Sequence, residues 1–586
     1  MEPWWTRYPS TLEAEKAALN AWGKPWSIQQ DQFQLGRLVV TIIVEFCGGE
    51  RELVAFYPDS YPYFMPHVRL SGMKLPRHHN PGGYLCLLAQ DGDEWHPGQD
   101  TLASLLEQQL PILEGVTRPG VAPDYVAANE EHVGEPLSNF LPYMERSAII
   151  VPDELPPAGI LSGTLLLDSR VRGEKQPGII TVLRQISDNA GVPLVDYPVQ
   201  MLAFKQRSGG VWIRLEGRPE LGEGTDDEIR KRLYNLALET SPALQKRLHH
   251  AKAGEEITVG FLYADQVEWR QAAEDWLFLW LRVNKAGRHG RTPTAPTIEY
   301  GLVRADWAGE DSLLKRAPAL APLRSKSVLL VGTGAIGSPL AMQLAKSGIR
   351  ELRLVDTDHL QAGNSVRWAF GWELAGFPKT EVIAHHVASD YPRTKVTAST
   401  FRIGGFQQIN PSNGLPFSDY DFLREEMRQV DLVIDATANY RVNHLLADMS
   451  RVEGKAYVWL STTPGAAGGV VGRVNPTETQ GCWHCFQHAM SAGEIRYPAD
   501  NGALDIQPRG CTHPTFVAAG IDSDEVSILA SRLAVATLLA QDDGEGQTSD
   551  FEWDVAVGDF FSANRRIESR WTTYSLSRHP DCSACA

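Results

Sequence analysis

Val328-Leu329-Leu330-Val331-Gly332-Thr333-Gly334-Ala335-Ile336-Gly337 decides how the second half of this 586-residue chain folds. An apolar, β-branched run of strand length passes straight into a glycine turn, and Ser338 to Lys346 continues it with helical spacing. Strand, glycine turn and helix predict a Rossmann-like parallel sheet and a phosphate cradle. In it Gly332 permits the tight turn, Gly334 lets backbone approach phosphates, and Gly337 lets helix pack on strand, while the helix N-terminus offers unpaired N–H groups to an anion. A second predicted strand over 352–355 ends at Asp356, 19 residues beyond Gly337, where a carboxylate can hold a ribose hydroxyl. This much fits any mononucleotide or dinucleotide binder, nicotinamide oxidoreductases included.

The charges that follow narrow the choice. Asp358, Asn364, Arg367 and Lys379 come next, and a third apolar strand, Asp431-Leu432-Val433-Ile434, runs into Asp435-Ala436-Thr437-Ala438-Asn439. Hydride transfer needs none of these. Joining a carboxylate to the α-phosphate of ATP uses them all: cations for the phosphates and the pentavalent transition state, and a carboxylate, read here as Asp435, for Mg²⁺. The series GxGxxG, D-x-D, N-x-x-R, K and D-x-T-x-N resembles the ThiF/MoeB and ubiquitin-activating family over residues 323–585. That resemblance implies an adenylation domain binding ATP and Mg²⁺ through Gly332, Gly334, Gly337, Asp356, Asp358, Asn364, Arg367, Lys379 and Asp435, with Arg367, Lys379 and Asp435 catalytic. It also implies a homodimer formed through this domain.

Of the seven cysteines, four form two knuckles, Cys482-Trp-His-Cys485 and Cys582-Ser-Ala-Cys585. Each puts two thiolates on one turn, and together they supply the four soft ligands of a closed tetrahedral Zn²⁺ site. Neither follows a thioredoxin-like strand, so a redox role is disfavoured. Cys511, in Arg509-Gly510-Cys511-Thr512-His513-Pro514, alone lies between the knuckles. The family resemblance implies that a cysteine in this interval takes the activated acyl group from the adenylate; Arg509 or His513 could raise its thiolate fraction.

Nearer the start of the chain, Ser10-Thr-Leu-Glu13 reads as a capping box opening a helix that ends near Trp22. Strands are predicted over 33–46, 53–57 and 68–70, with Gly48-Gly49 as a hairpin signal. Then come Tyr61-Pro62, His78-His79-Asn80, Gly83-Tyr84-Leu85-Cys86, Trp95-His96-Pro97 and an amphipathic helix from Thr101. Their order resembles the ubiquitin-conjugating family, with His79 where proline is usual and a loop about two residues shorter. The resemblance implies that Cys86 carries a thioester and that the Asn80 amide stabilises the oxyanion when an amine attacks. Asp124 is the nearest candidate for an acid that orients the amine; His78 and His79 shape the loop, and Cys47 is a strand-end residue.

Proline and glycine mark junctions near 147–159 and 287–296. Between them strands are predicted over 163–167, 179–183, 211–215 and 276–283, with a charged helix over 226–249 and no motif. The expected chain is therefore α/β and α+β multidomain: a ubiquitin-conjugating-like α+β domain over 1–146, an α+β linker domain over 147–300, and a ThiF-type Rossmann-like domain with a zinc site over 301–586. A net charge of −17 argues against a nucleic-acid partner, 43% hydrophobic content is that of a globular chain, and no apolar run reaches the ~20 residues that span a bilayer. The sparse cysteines and the absence of an apolar leader at the N-terminus point to the cytoplasm.

An activating and a conjugating domain in one chain, conjugating half first, resembles the bacterial fusion that accompanies cGAS-like nucleotidyltransferases in type II CBASS antiphage operons. It implies that a partner's carboxyl terminus, that of the nucleotidyltransferase itself, is adenylated, captured by Cys511, passed to Cys86 and delivered to an amine of a target protein or small molecule. Two other readings remain open at this point: conjugation of a dedicated ubiquitin-like modifier, and a non-catalytic nucleotide- and zinc-binding scaffold.

Overall fold

Every residue of Ser327–Val331 is buried, as its unbroken apolar run requires of a strand covered on both faces. Alternate side chains feed two different cores: Val328 and Leu330 join one, Leu329 and Val331 the other. In this computed structural model the strand lies inside an eight-stranded sheet of order Lys395–Thr400, Glu351–Asp356, Ser327–Val331, Leu432–Asp435, Ala456–Thr462, Gly468–Val474, Val555–Ser562, Arg565–Tyr574. The first five run parallel and the last three antiparallel. From Ser327–Val331 the chain steps outward through Glu351–Asp356 and Lys395–Thr400, then returns to the other side as Leu432–Asp435. That reversal is a topological switch point, where open α/β sheets form their ligand crevice at the strands' carboxyl ends. Helix Gly520–Leu539 packs against helix Gly337–Lys346, with Ser527 Oγ donating to the Ile336 carbonyl at 2.8 Å.

The structure describes residues 2–73, 75, 78–79, 83–88, 95–118, 120–121, 125, 136–170, 179–197, 204–219, 225–268, 271–284, 288–289, 292–293, 297–405, 408–409, 414, 416–507, 515–540, 550–563 and 565–585. Two compact units result, 1–197 with 205–309 and 198–204 with 310–586.

The first unit opens with helix Pro9–Trp22 and a four-stranded antiparallel meander, Trp26–Ile28, Val39–Phe46, Gly49–Phe56 and His67–Leu70, followed by helix Leu102–Thr117, which packs on the first helix. The expected capping box at Ser10 does not form: Tyr8 is the N-cap without a side-chain bond, and Pro9, with its fixed φ and missing N–H, starts the helix. The run over 33–46 is also not all strand, since Gln30–Gln34 forms a short helix first. The hairpin turn is Cys47-Gly48, with φ of 51° and 75°, between the paired Phe46 and Gly49. Positive φ at both turn residues matches the right-handed twist of the strands, so Cys47 belongs to the turn.

Further along, seven strands close into a ring: Tyr143–Val151, Ile298–Trp307, Gln271–Val283, Glu256–Glu268, Phe204–Arg214, Ser162–Arg170 and Ile180–Asp188, the last pairing again with the first. One buried cluster draws on every strand of the ring and is rich in rings, with Trp212, Trp276, Phe278 and Trp280. The expected boundaries at 146/147 and 300/301 fall inside two of these strands, which pair with each other; the sheet spans 143–307. The expected helix over 226–249 is two, Asp226–Thr240 and Pro242–His250, because Pro242 disfavours helical backbone at Ser241, whose hydroxyl instead accepts from the Leu244 N–H at 3.1 Å.

Candidate active site

A cavity of about 1030 Å³ opens at the switch point, lined among others by Gly332, Gly334, Asp356, Asp358, Asn364, Arg367 and Lys379. The glycines are required by their surroundings. At Gly332, with φ of 88°, a Cβ would lie 2.7 Å from the Ala436 carbonyl carbon, and at Gly337 it would lie 2.0 Å from the Gly332 carbonyl oxygen. Gly337 therefore serves the tight turn as well as helix packing. A Cβ at Gly334 meets no protein atom within 4 Å, which leaves its backbone open to a ligand in the cavity.

Asp356 ends its strand with its carboxylate aimed across the turn. Oδ2 accepts from the Thr333 N–H at 2.6 Å and the Thr333 hydroxyl at 2.8 Å, and Oδ1 accepts from the Asp358 N–H at 2.9 Å. A carboxylate has about four acceptor sites, so one is left for a ligand hydroxyl. Lys379 begins helix Lys379–Asp390 and is nearly buried; its Nζ donates to Asp358 Oδ2 at 2.9 Å, and its N–H donates to the Asp358 carbonyl at 2.9 Å. Asn364 caps a 3₁₀ turn, accepting from the Gln361 N–H at 3.1 Å. Arg367 is half-buried, donates to the Thr515 hydroxyl, and stacks its guanidinium 4.7 Å from the centre of the Phe516 ring. Among the described residues this cation has no carboxylate partner, and burial pushes its pKa down. A desolvated, unpaired guanidinium beside a glycine turn and a helix N-terminus attracts an anion.

Asp435 is not in that cavity. Its side chain is fully buried, Oδ1 accepting from the Thr437 N–H and hydroxyl at 3.0 and 2.7 Å, Oδ2 from Asn443 Nδ2 at 2.7 Å and the Tyr457 hydroxyl at 3.0 Å. Burial raises its pKa against the lowering of these four bonds. In this arrangement the acceptor sites of Asp435, expected to hold Mg²⁺, fix the turn over Ala436-Thr437 that closes on Gly332. Among the described residues, the carboxylates lining the cavity are Asp356, Asp358 and Asp505. Asp358, its side chain 59% exposed, and Asp505 fit Mg²⁺, which binds through one or two carboxylates and substrate phosphates. Neither Thr515, Phe516 nor Asp505 carried a sequence signal, since they reach the cavity from some 140 residues beyond Arg367.

The four knuckle cysteines do converge. Cys482 Sγ lies 3.8 Å from Cys485 Sγ and 3.6 Å from Cys582 Sγ, and Cys485 Sγ lies 3.7 Å from Cys585 Sγ, all four within 4.8 Å of one another. A tetrahedron with metal–sulfur bonds of about 2.3 Å has edges of about 3.8 Å, so the set could hold Zn²⁺.

Cys86 lies in the first unit. Its N–H donates to the His78 carbonyl at 2.9 Å, His79 pairs with Leu85, and His79 Nδ1 accepts from the Leu75 N–H at 2.9 Å. Trp95 Nε1 donates to the Pro62 carbonyl at 2.8 Å, so the Trp95-His96-Pro97 segment is anchored to the Tyr61-Pro62 segment. Asn80, Asp124 and Cys511, with Arg509 and His513, lie outside the described residues. No described helix is long and apolar enough to cross a membrane.

Residues 311–583 match the ThiF family. Over its whole length the chain is 30% identical to the uncharacterized protein y4oA of Sinorhizobium fredii, covering 98% of it. It is 28% identical to the ATP-dependent ubiquitin transferase-like protein Cap2 of Enterobacter hormaechei over 39% of this chain and 34% of that protein. It is also 28% identical to the adenylyltransferase and sulfurtransferase MOCS3 of Arabidopsis thaliana, over 37% of this chain and 44% of that one. A glycine turn at the switch point, cations beside it and a match that spans the surrounding sheet agree: residues 311–583 form a ThiF family domain, and along its full length the chain belongs to one family with y4oA.

Proposed function

We propose that the C-terminal unit adenylates the carboxyl terminus of a partner protein with ATP and Mg²⁺. A carboxylate oxygen of the partner attacks the α-phosphorus and pyrophosphate leaves. The observation that carries this reading is the pairing of two cations, Arg367 and Lys379, with the open backbone of Gly334 in one cavity: it suits charge building on a phosphoryl group more than hydride transfer. The names borne by Cap2 and MOCS3 support the same chemistry. Mg²⁺, held by Asp358 or Asp505 and the phosphates, would neutralise charge on the leaving pyrophosphate.

The acyl group then passes to Cys511, whose thiolate displaces AMP, next to Cys86 by thioester exchange, and last to an amine that displaces the Cys86 thiolate and loses a proton. Support for Cys511 comes from chain reach. It lies four residues before Thr515 in the sequence, and Thr515 lines the cavity. Support for a ubiquitin-conjugating-like role at Cys86 comes from the helix–meander–helix order and the His78–Cys86 bond; Asn80 stabilises the oxyanion there. In this reading the partner is a cGAS-like nucleotidyltransferase, the setting is antiphage defence in the cytoplasm, and Zn²⁺ at the four cysteines is structural. Dimerisation uses the adenylation unit, where Val366 and Ile521, 67% and 76% exposed, flank a second cavity.

The test is ATP–pyrophosphate exchange by the purified chain, followed by intact mass under non-reducing conditions with ATP and the nucleotidyltransferase. A reducible adduct of partner mass supports the reading. Absence of exchange in folded, zinc-replete protein supplied with that partner would overturn adenylation.

A further inference from the structure

We propose that Thr515 and Phe516 are positioning residues that couple anion binding at Arg367 to the pairing of Ile506 with Thr515. The proposal rests on the nucleotide reading of the cavity and adds a role for residues that neither sequence nor family resemblance singles out. Ile506 and Thr515 exchange both backbone hydrogen bonds, each 2.9 Å, as an isolated antiparallel pair outside any sheet. Asp505, Thr515 and Phe516, on and beside this pair, line the nucleotide-sized cavity. On one side of this pair, a two-residue neck, Thr515 and its neighbour Phe516 bracket the cation, Thr515 through its hydroxyl and Phe516 through its ring.

A guanidinium carries five N–H donors in its plane. Stacking on Phe516 occupies one face and leaves the in-plane donors available, of which the contact with Thr515 uses one. A phosphate can therefore take further donors without displacing Thr515, and in doing so it fixes Arg367, which fixes the neck. By linkage, a formed neck must raise anion affinity by the same factor that the anion stabilises the neck. The neck itself is weak: two backbone bonds, no neighbouring strand among the described residues, and Ile506 52% exposed. Small gains in restraint are thus readable as amide protection.

Hydrogen exchange over residues 503–518 of the full chain, with and without a non-hydrolysable ATP analogue whose binding is measured calorimetrically on the same samples, tests this. In the wild-type protein the analogue should slow exchange at the Ile506 and Thr515 amides at least threefold. Thr515→Val should abolish that slowing and weaken analogue binding several-fold, whereas Thr515→Ser should retain both. A role in local packing alone would change exchange in the unliganded protein but not its response to the analogue. Binding with no change in wild-type exchange, or a full response in Thr515→Val, would overturn the coupling while leaving the nucleotide reading intact. Absence of binding to wild type would overturn both.

Discussion

The hydroxyl of Tyr457 donates to Asp435 Oδ2 at 3.0 Å from the neighbouring parallel strand, and both groups are sealed from solvent. Asp435→Ala should therefore act on stability before it acts on chemistry. It leaves the Asn443 amide, the Tyr457 hydroxyl and the Thr437 N–H without their acceptor, at roughly 2–5 kcal/mol, visible as a fall in urea midpoint. A variant as stable as wild type yet dead in pyrophosphate exchange would restore Asp435 as a metal ligand.

The same carboxyl sets a pH dependence. Its folded pKa is raised above the ordinary 3.8, chiefly by burial, so the folded state holds more protons than the unfolded one between that value and the raised one. Its contribution to stability is then largest at low pH and declines as pH rises through the folded pKa. The wild-type stability relative to Asp435→Asn should fall as pH rises above the ordinary carboxyl value of 3.8, read from paired urea titrations; a relative stability that rises with pH there would contradict it.

Lys379→Ala and Arg367→Ala should each lower pyrophosphate exchange on the order of a hundredfold, the scale for removing one preorganised charge. Lys379→Ala should scarcely change stability, because the Asp358 it abandons is mostly exposed and water replaces the ammonium. Exchange within threefold of wild type in either variant would remove that cation from the mechanism.

Purified protein should carry about one zinc per chain, and its removal should lower the melting temperature, because the knuckles tie the segment after strand Arg565–Tyr574 to the start of helix Trp483–Ala492. Folded, reduced protein free of metal by elemental analysis would count against the site.

Cys86→Ala should let a reducible partner adduct accumulate on Cys511, whereas Cys511→Ala should prevent any adduct on Cys86 while permitting pyrophosphate exchange. The cavity and Cys86 belong to separate compact units, so an intermediate carrier is expected. Full conjugation by Cys511→Ala, followed by mass spectrometry, would show that the adenylate reaches Cys86 directly.

The glycine turn, Asp356, Arg367, Lys379 and the knuckles were legible because each acts through local spacing: a tight turn, a strand end, two thiolates on one turn. The orientation of Asp435 was not legible, because a carboxylate at a strand end can face the crevice or the sheet. Which way it turns depends on Asn443 and Tyr457, 8 and 22 residues on. The closed ring in the first unit escaped for the same reason, since Tyr143–Val151 pairs with a strand some 150 residues away. The break at Ser241-Pro242 was present in the sequence and was outweighed by continuous charge on either side.

Cys482 and Cys582 stand 100 residues apart. A ribosome adding about 5–20 residues per second needs roughly 5–20 s to lay down the second knuckle after the first has emerged. During that interval Cys482 and Cys485 are a bare dithiol, open to oxidation or to the wrong metal, while the glycine turn and its cations are already complete. The glycine turn is thus synthesised well before the four-cysteine cluster is complete, so newly made chains should be most vulnerable to oxidants in the seconds before Cys582 and Cys585 emerge.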